Sequence, residues 1–261
     1  MEYGIRPFPG RCCPEFDCFY GSWDKKHCRG CGRECTSCTL YNMEINRHKE
    51  VETFKETMKN LYFKAKNTII EKGHLKEIEF YKNIPKIEDL DKIFFFREYV
   101  WVVINSGMKN QVAEKIFKAF WNNNKTYNFD AINHPNKNMA IKKVYNRLGF
   151  YFDHLLQSKN KLKFLKNLPH IGDITKYHLA KNLGLNFAKP DRHLVRIANL
   201  FGYNNVQDFC EIISELSHDK IGVVDLVFWR YANLTKNYLE IFEREAGVSR
   251  TENNKRIKKG V

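Results

Sequence analysis

The chain of 261 residues is 43% hydrophobic and 14% aromatic, enough to bury a core, which excludes a disordered or fibrous protein. Its 44 Lys and Arg against 30 acidic residues give a formal net charge of +14, a surplus that points to a polyanion, nucleic acid first, with a generally basic composition as the plain alternative. The most apolar stretch, 94–108, is interrupted by Arg97, Glu98 and Asn105 and falls short of the ~18 residues of a membrane helix. The first ten residues, with Glu2, Arg6 and two prolines, lack the basic-then-apolar pattern of a secretory leader. A cytoplasmic, nucleoid-associated protein with no membrane partner is expected.

Residues 1–45 form the first expected unit. Cys12, Cys13, Cys18, Cys28, Cys31, Cys35 and Cys38, with His27 beside them, crowd seven thiols and an imidazole into a segment with little apolar content. In a reducing compartment such a cluster reads as metal ligands rather than disulfides. The two-residue gaps in Cys28/Cys31 and Cys35/Cys38 let paired thiolates converge on one ion, and a loop-rich segment of this kind needs a staple to fold. Zinc, as one or two tetrahedral ions, suits the ligand set; a [4Fe–4S] cluster on the closely spaced 28–38 thiols is the alternative. Lys25, Lys26, Arg29 and Arg33 place positive charge on this module, in keeping with a structural or DNA-contacting role.

From residue 46 to 248 the sequence predicts an all-α domain. Segments 46–73, 88–106, 109–123, 136–158 and 161–168 carry apolar residues at mixed spacings of three and four, and 173–184, 191–201, 205–217, 219–232 and 235–246 repeat the pattern. No strand alternation stands out. The β-branched and aromatic run 94–103 could be a buried strand, but its length and neighbours favour a central helix. Cys210, alone in the 205–217 segment, reads as a buried apolar residue. Residues 249–261, with five basic residues and one acid, form a basic tail.

The chemistry concentrates in 167–201, NLPHIGDITKYHLAKNLGLNFAKPDRHLVRIANLF, where a basic helix ends, a Pro/Gly turn intervenes and a second helix begins. Gly172 permits positive φ or close backbone approach, and the amides around it open a helix whose dipole favours an anion, so a phosphate fits there. Lys163, Lys166, Lys176 and Lys181 flank the turn. An ordinary turn between packed helices on a basic surface would give the same letters. Asp191 then opens another amphipathic helix whose buried face is Leu194, Ile197, Ala198 and Phe201; on spacing alone it is a carboxylate near a phosphate site, and an N-cap role would account for it.

Leu168, Pro169, Ile171 and Gly172, followed by Asp191, His193, Leu194 and Arg196, resemble the helix-hairpin-helix DNA glycosylase superfamily, with its L-P-G-[IV]-G hairpin and D-x-H-[VIL]-x-R segment. The resemblance implies a helical glycosylase domain preceded by the Cys-rich module. It implies that Asp191 is the catalytic aspartate, and that Leu168, Pro169, His170, Ile171, Gly172, Lys163, Lys166, Lys176 and Arg196 contact DNA. Two positions depart from the pattern. His170 stands where the hairpin usually has its first glycine, and Ile174 stands where members that also cut the backbone carry a Schiff-base lysine, which implies a monofunctional enzyme. Lys176 and Lys189 lie nearby as amines, but lysines on a DNA-binding face need no catalytic explanation.

A weaker likeness covers 96–111 and 222–231. It implies that Trp101, Asn105, Met108 and Gln111 serve the base pocket or fill the gap left by a flipped nucleotide, with Asp225 and Trp229 packed behind the site; core packing and helix caps are the plain readings of the same residues. The expected partner is double-stranded DNA bearing a damaged or modified base, bound by a monomer. A non-catalytic DNA-binding protein and a bifunctional glycosylase/lyase are the competing functions.

Overall fold

A computed structural model of the chain describes residues 39–121 and 127–247, with side chains from residue 49 onward. The ligand set proposed for Cys12–Cys38 with His27, and the basic tail, lie outside the described residues. The chain divides into two compact units, Met1–Thr57 and Met58–Val261. The first is described only through the start of a long helix, α1 (Thr39–Glu71), which begins seven residues before the expected position 46. The second holds the remaining helices and the hairpin.

All regular structure among the described residues is helical, apart from one isolated bridge between Trp121 and Tyr127. After α1 come α2 (Leu75–Asn83), α3 (Lys92–Asn105), α4 (Asn110–Phe120), α5 (Pro135–Tyr145), α6 (Leu148–Gln157), α7 (Lys161–Lys166), α8 (Thr175–Asn182), α9 (Arg192–Leu200), α10 (Val206–Ser217), α11 (Ile221–Leu234) and α12 (Tyr238–Ala246). The 94–103 run is the middle of α3, as its length favoured. Two expectations fail. The segment 136–158 is two helices, because Arg147 leaves helical geometry at φ −131° and ψ 34° while the apolar spacing carries on across the break. Helix α2 was not foreseen, since its nine residues bury only Ile78 and so carry almost no apolar signal.

Local chemistry sets several boundaries. The Asp91 side chain accepts from the Phe94 N–H at 2.7 Å and starts α3; Pro135 occupies the first turn of α5, where its missing N–H is harmless. Helix α3 is the centre of the larger core: Phe95, Phe96, Tyr99, Val100, Val102, Val103 and Ile104 are buried on nearly all its faces, and it packs against α4, α5, α6 and α8. A second aromatic cluster joins α1, α10, α11 and α12, where Phe228 meets Tyr62, Phe209 and Phe242 at ring-centroid distances of 5.6, 5.4 and 6.0 Å. Cys210 is fully buried, as expected. Among the described residues, no helix is long and apolar enough to cross a membrane, and no group of three or more His, Cys, Asp or Glu could hold a metal.

Candidate active site and nucleic-acid interface

The hairpin runs from the end of α7 to the start of α8. Leu168 and Ile171 turn inward and are buried, which anchors the turn but removes their side chains from any DNA surface. The Ile171 N–H donates to the Leu168 carbonyl at 3.1 Å, and the buried Tyr99 hydroxyl of α3 donates to the Pro169 carbonyl at 2.7 Å, pinning the hairpin to the core. The left-handed residue of the turn is His170, at φ +61°, and not Gly172. A glycine would sit at position 170 without strain, so the resembled pattern and the backbone agree on which position needs one. At Gly172 the fold itself does not require a glycine, since a Cβ built there would meet nothing closer than Thr175 Oγ1 at 3.8 Å.

Lys163, Lys166 and Arg196 are exposed, as a phosphate-binding surface requires, and Lys176 is half-buried. The exposed Asp173 carboxylate ties two of these cations, Lys166 at 2.7 Å and Lys176 at 3.1 Å, so part of the positive charge of the hairpin is already answered within the fold. Lys181, expected beside the turn, is a correction. It projects inward from the far end of α8 and is buried against Asp225. Ile174 is 47% exposed at the mouth of the hairpin, with no amine in its place.

Asp191 is the N-cap of α9. Its Oδ1 accepts from the N–H groups of His193 and Leu194 at 2.9 and 3.0 Å, so both capping bonds fall on one oxygen. The side chain is half-buried and lines a cavity of about 880 Å³, which leaves Oδ2 for other work. His193 bonds the Tyr238 hydroxyl at 3.0 Å, and burial lowers its pKa from the ordinary histidine value.

The cavity brings together α2, α3, α4, α8, α11 and the segment leading into α9. One wall is aromatic: Trp101 meets Phe117 edge-on at 5.5 Å, Phe117 stacks on Trp121 at 6.0 Å, and Phe80 and Trp229 also line the space. The polar floor has two parts. In the first, the Lys181 ammonium donates to Asp225, whose second oxygen accepts the Lys189 backbone N–H at 2.5 Å. Burial pulls the Lys181 pKa down, but the Asp225 carboxylate overrides that and holds the ammonium above its usual range. Gly222 makes room for this pair, since a Cβ there would sit 3.3 Å from both Lys181 Cγ and Tyr81 Cδ1. In the second part, Tyr81 donates to Asn182 Oδ1 at 2.8 Å, and Asn182 donates to Glu98 Oε2 at 2.9 Å. Burial pushes Tyr81 up to about 12 and Glu98 up to about 7.

Of the pocket residues expected from sequence, Trp101, Asn105, Asp225 and Trp229 line this cavity, whereas Met108 packs against the core and Gln111 is exposed on α4, outside the lining. Sequence reasoning missed Glu98, His178, Lys181, Asn182 and Lys189. A signal was present: Glu98, Trp101 and Asn105 recur at three and four along α3, and His178, Lys181 and Asn182 do so along α8, marking one polar stripe on each otherwise buried helix. Lys189, taken for an exposed lysine, lines the cavity, and burial followed by the charge of Lys181 lowers its pKa.

No family model matches the chain, and no curated protein does. A solved structure, the Methanocaldococcus jannaschii 8-oxoguanine glycosylase/lyase in complex with a 15mer DNA containing 8-oxoguanine, aligns over 68% of this chain and 98% of its own with a TM-score of 0.53 and 17% identity. The helical unit therefore has the fold of a DNA glycosylase, as the hairpin motif implied.

Proposed function

We propose that the protein is a monofunctional DNA N-glycosylase that flips a modified base out of duplex DNA and hydrolyses its bond to deoxyribose, with Asp191 as the catalytic carboxylate. The observation that carries this reading is the placement of Asp191: one oxygen is spent on the α9 amides, while the side chain lines an aromatic cavity of base-accepting size. As the C1′–N bond breaks, positive charge grows on the sugar, and a fixed carboxylate stabilises it more than bulk water does. Water then bonds to C1′, its proton passes to Asp191 or onward to solvent, and the departing base takes up a proton. The net charge of +14 and the exposed Lys163 and Arg196 support binding of the phosphate backbone, while the Gly172 N–H is already taken by the Thr175 hydroxyl at 2.7 Å.

Asp191→Asn tests the assignment, because asparagine caps a helix about as well as aspartate but carries no charge. Folding and duplex binding should survive while base release falls roughly a hundredfold or more. Undiminished release would remove Asp191 from the chemistry. Product analysis tests the hydrolytic route: with Ile174 at the hairpin, strands should remain intact at abasic sites until treated with alkali. Lys189 offers the competing amine, since its pKa is lowered and it shares the cavity with Asp191. A borohydride-trapped adduct that disappears in Lys189→Arg would replace hydrolysis by an imine route.

The cysteine-rich segment is proposed to hold zinc in a structural or DNA-contacting role, on the strength of its ligand spacing alone.

A further inference from the structure

Resting on the glycosylase reading, we propose that Glu98 selects the base, as a carboxylate that accepts the two adjacent N–H donors of a guanine-type edge. Glu98 is only 5% exposed, yet it lines the cavity, and among the described residues its side chain is hydrogen-bonded by the Asn182 amide alone, on Oε2. No cation pairs with it among the described residues. Burying a carboxylate with a single neutral donor is unfavourable, and a glutamine of the same shape would satisfy Asn182 without that cost. The group is therefore poorly explained by folding and well explained by a ligand that supplies the missing donors.

The other carboxylates of the cavity each have a partner or another role. Glu77 is paired with Arg230 at 2.5 Å and Glu114 with Lys118 at 2.7 Å. Asp225 is taken by Lys181 and the Lys189 N–H, and Asp191 by the amides of α9. Glu98 keeps a whole oxygen, Oε1, and a second lone pair on Oε2, whereas the free Oδ2 of Asp191 is assigned to the sugar and Glu114 is exposed on α4. Tyr81 fixes its partner from behind: by donating to Asn182 Oδ1 it turns the Asn182 amide nitrogen toward Glu98, and the carboxylate cannot turn without breaking that bond.

Two N–H donors from a bound base favour the ionised form of Glu98, and an ionised carboxylate only accepts, so it discriminates among bases by their donor pattern. Guanine-type bases present a ring N–H beside an amino N–H, two donors in line with two oxygens. Adenine- and cytosine-type edges alternate donor with acceptor, and thymine- and uracil-type edges place one N–H between two carbonyls, so each would set a lone pair against Glu98. Trp101, one turn along α3, gives the plane of such a base an aromatic face to lie on.

The test compares duplexes carrying 8-oxoguanine or 8-oxohypoxanthine opposite cytosine, which differ only in the 2-amino group. The wild-type protein should release the former at least about tenfold faster, the scale of one hydrogen bond to a charged group. Glu98→Gln, checked for folding by circular dichroism, should bring that ratio close to one. A wild-type ratio near one, or a ratio unchanged in Glu98→Gln, overturns the proposal. Binding of free guanosine and inosine, followed by quenching of the cavity tryptophans, decides the matter independently of catalysis. A guanosine preference lost in Glu98→Gln upholds Glu98 even if no base is released, in which case only the glycosylase reading falls; equal affinity for the two nucleosides, or none for either, overturns Glu98.

Discussion

Replacing Glu98 by glutamine should stabilise the protein, and by an amount that depends on pH in a defined way. Burial raises the Glu98 pKa from 4.5 to about 7, with Arg97 and the Asn182 hydrogen bond pulling weakly the other way. The folded state therefore binds this proton more tightly than the unfolded state. Below pH 4.5 the carboxyl is neutral in both states and costs nothing. As pH rises from 4.5 to 7 the unfolded chain ionises freely while the folded one resists, and stability is lost across that window. At about 1.36 kcal/mol per pH unit, the full loss is about 3 kcal/mol, reached above pH 7. Glutamine keeps the Asn182 bond and never ionises. The difference between Glu98→Gln and wild type in urea unfolding should thus be near zero at about pH 4 and grow to about 3 kcal/mol in favour of the variant at about pH 8. Other titrating groups cancel in that difference because they are common to both proteins. A difference that stays flat with pH, or a variant less stable in mildly alkaline buffer, would refute the view that this carboxylate is held at a cost.

Lys181→Met leaves Asp225 buried without its cation and should cost about 3–5 kcal/mol in thermal or urea unfolding. Adding Asp225→Asn, which still accepts the Lys189 N–H, should recover most of the loss. Gly184→Ala should destabilise by more than about 2 kcal/mol, because Gly184 has φ +75° and a Cβ there would lie 2.7 Å from the Pro85 carbonyl oxygen, a backbone atom that cannot swing aside. Elemental analysis of protein purified without added metal should find stoichiometric zinc, lost together with Cys28→Ser/Cys31→Ser; iron with a brown colour would assign the cluster, and a metal-free wild type would remove the proposal.

Much of the fold was legible in the chain because helices declare themselves locally. Apolar spacing located every helix of the second unit except α2, though it ran α5 and α6 together, and Asp191 was recognisable as a helix opener because capping depends on residues two and three positions away. The hairpin was legible too, but which of its residues takes the left-handed conformation was not: Gly172 was the obvious choice by residue type, and His170 holds that position because the Tyr99 bond to Pro169 and the buried Leu168 and Ile171 fix the path of the turn. The cavity was decided by tertiary structure alone. Lys181 and Lys189 look like the other surface lysines of a basic chain until α11 brings Asp225 against one and packs beside the other. Glu98 looks like a solvent-facing break in an apolar run until α8 brings Asn182 to it from 84 positions away. Sequence determines what depends on neighbours within a turn or two of helix; the charge state and purpose of a side chain depend on which distant groups surround it, and only the packed fold chooses those.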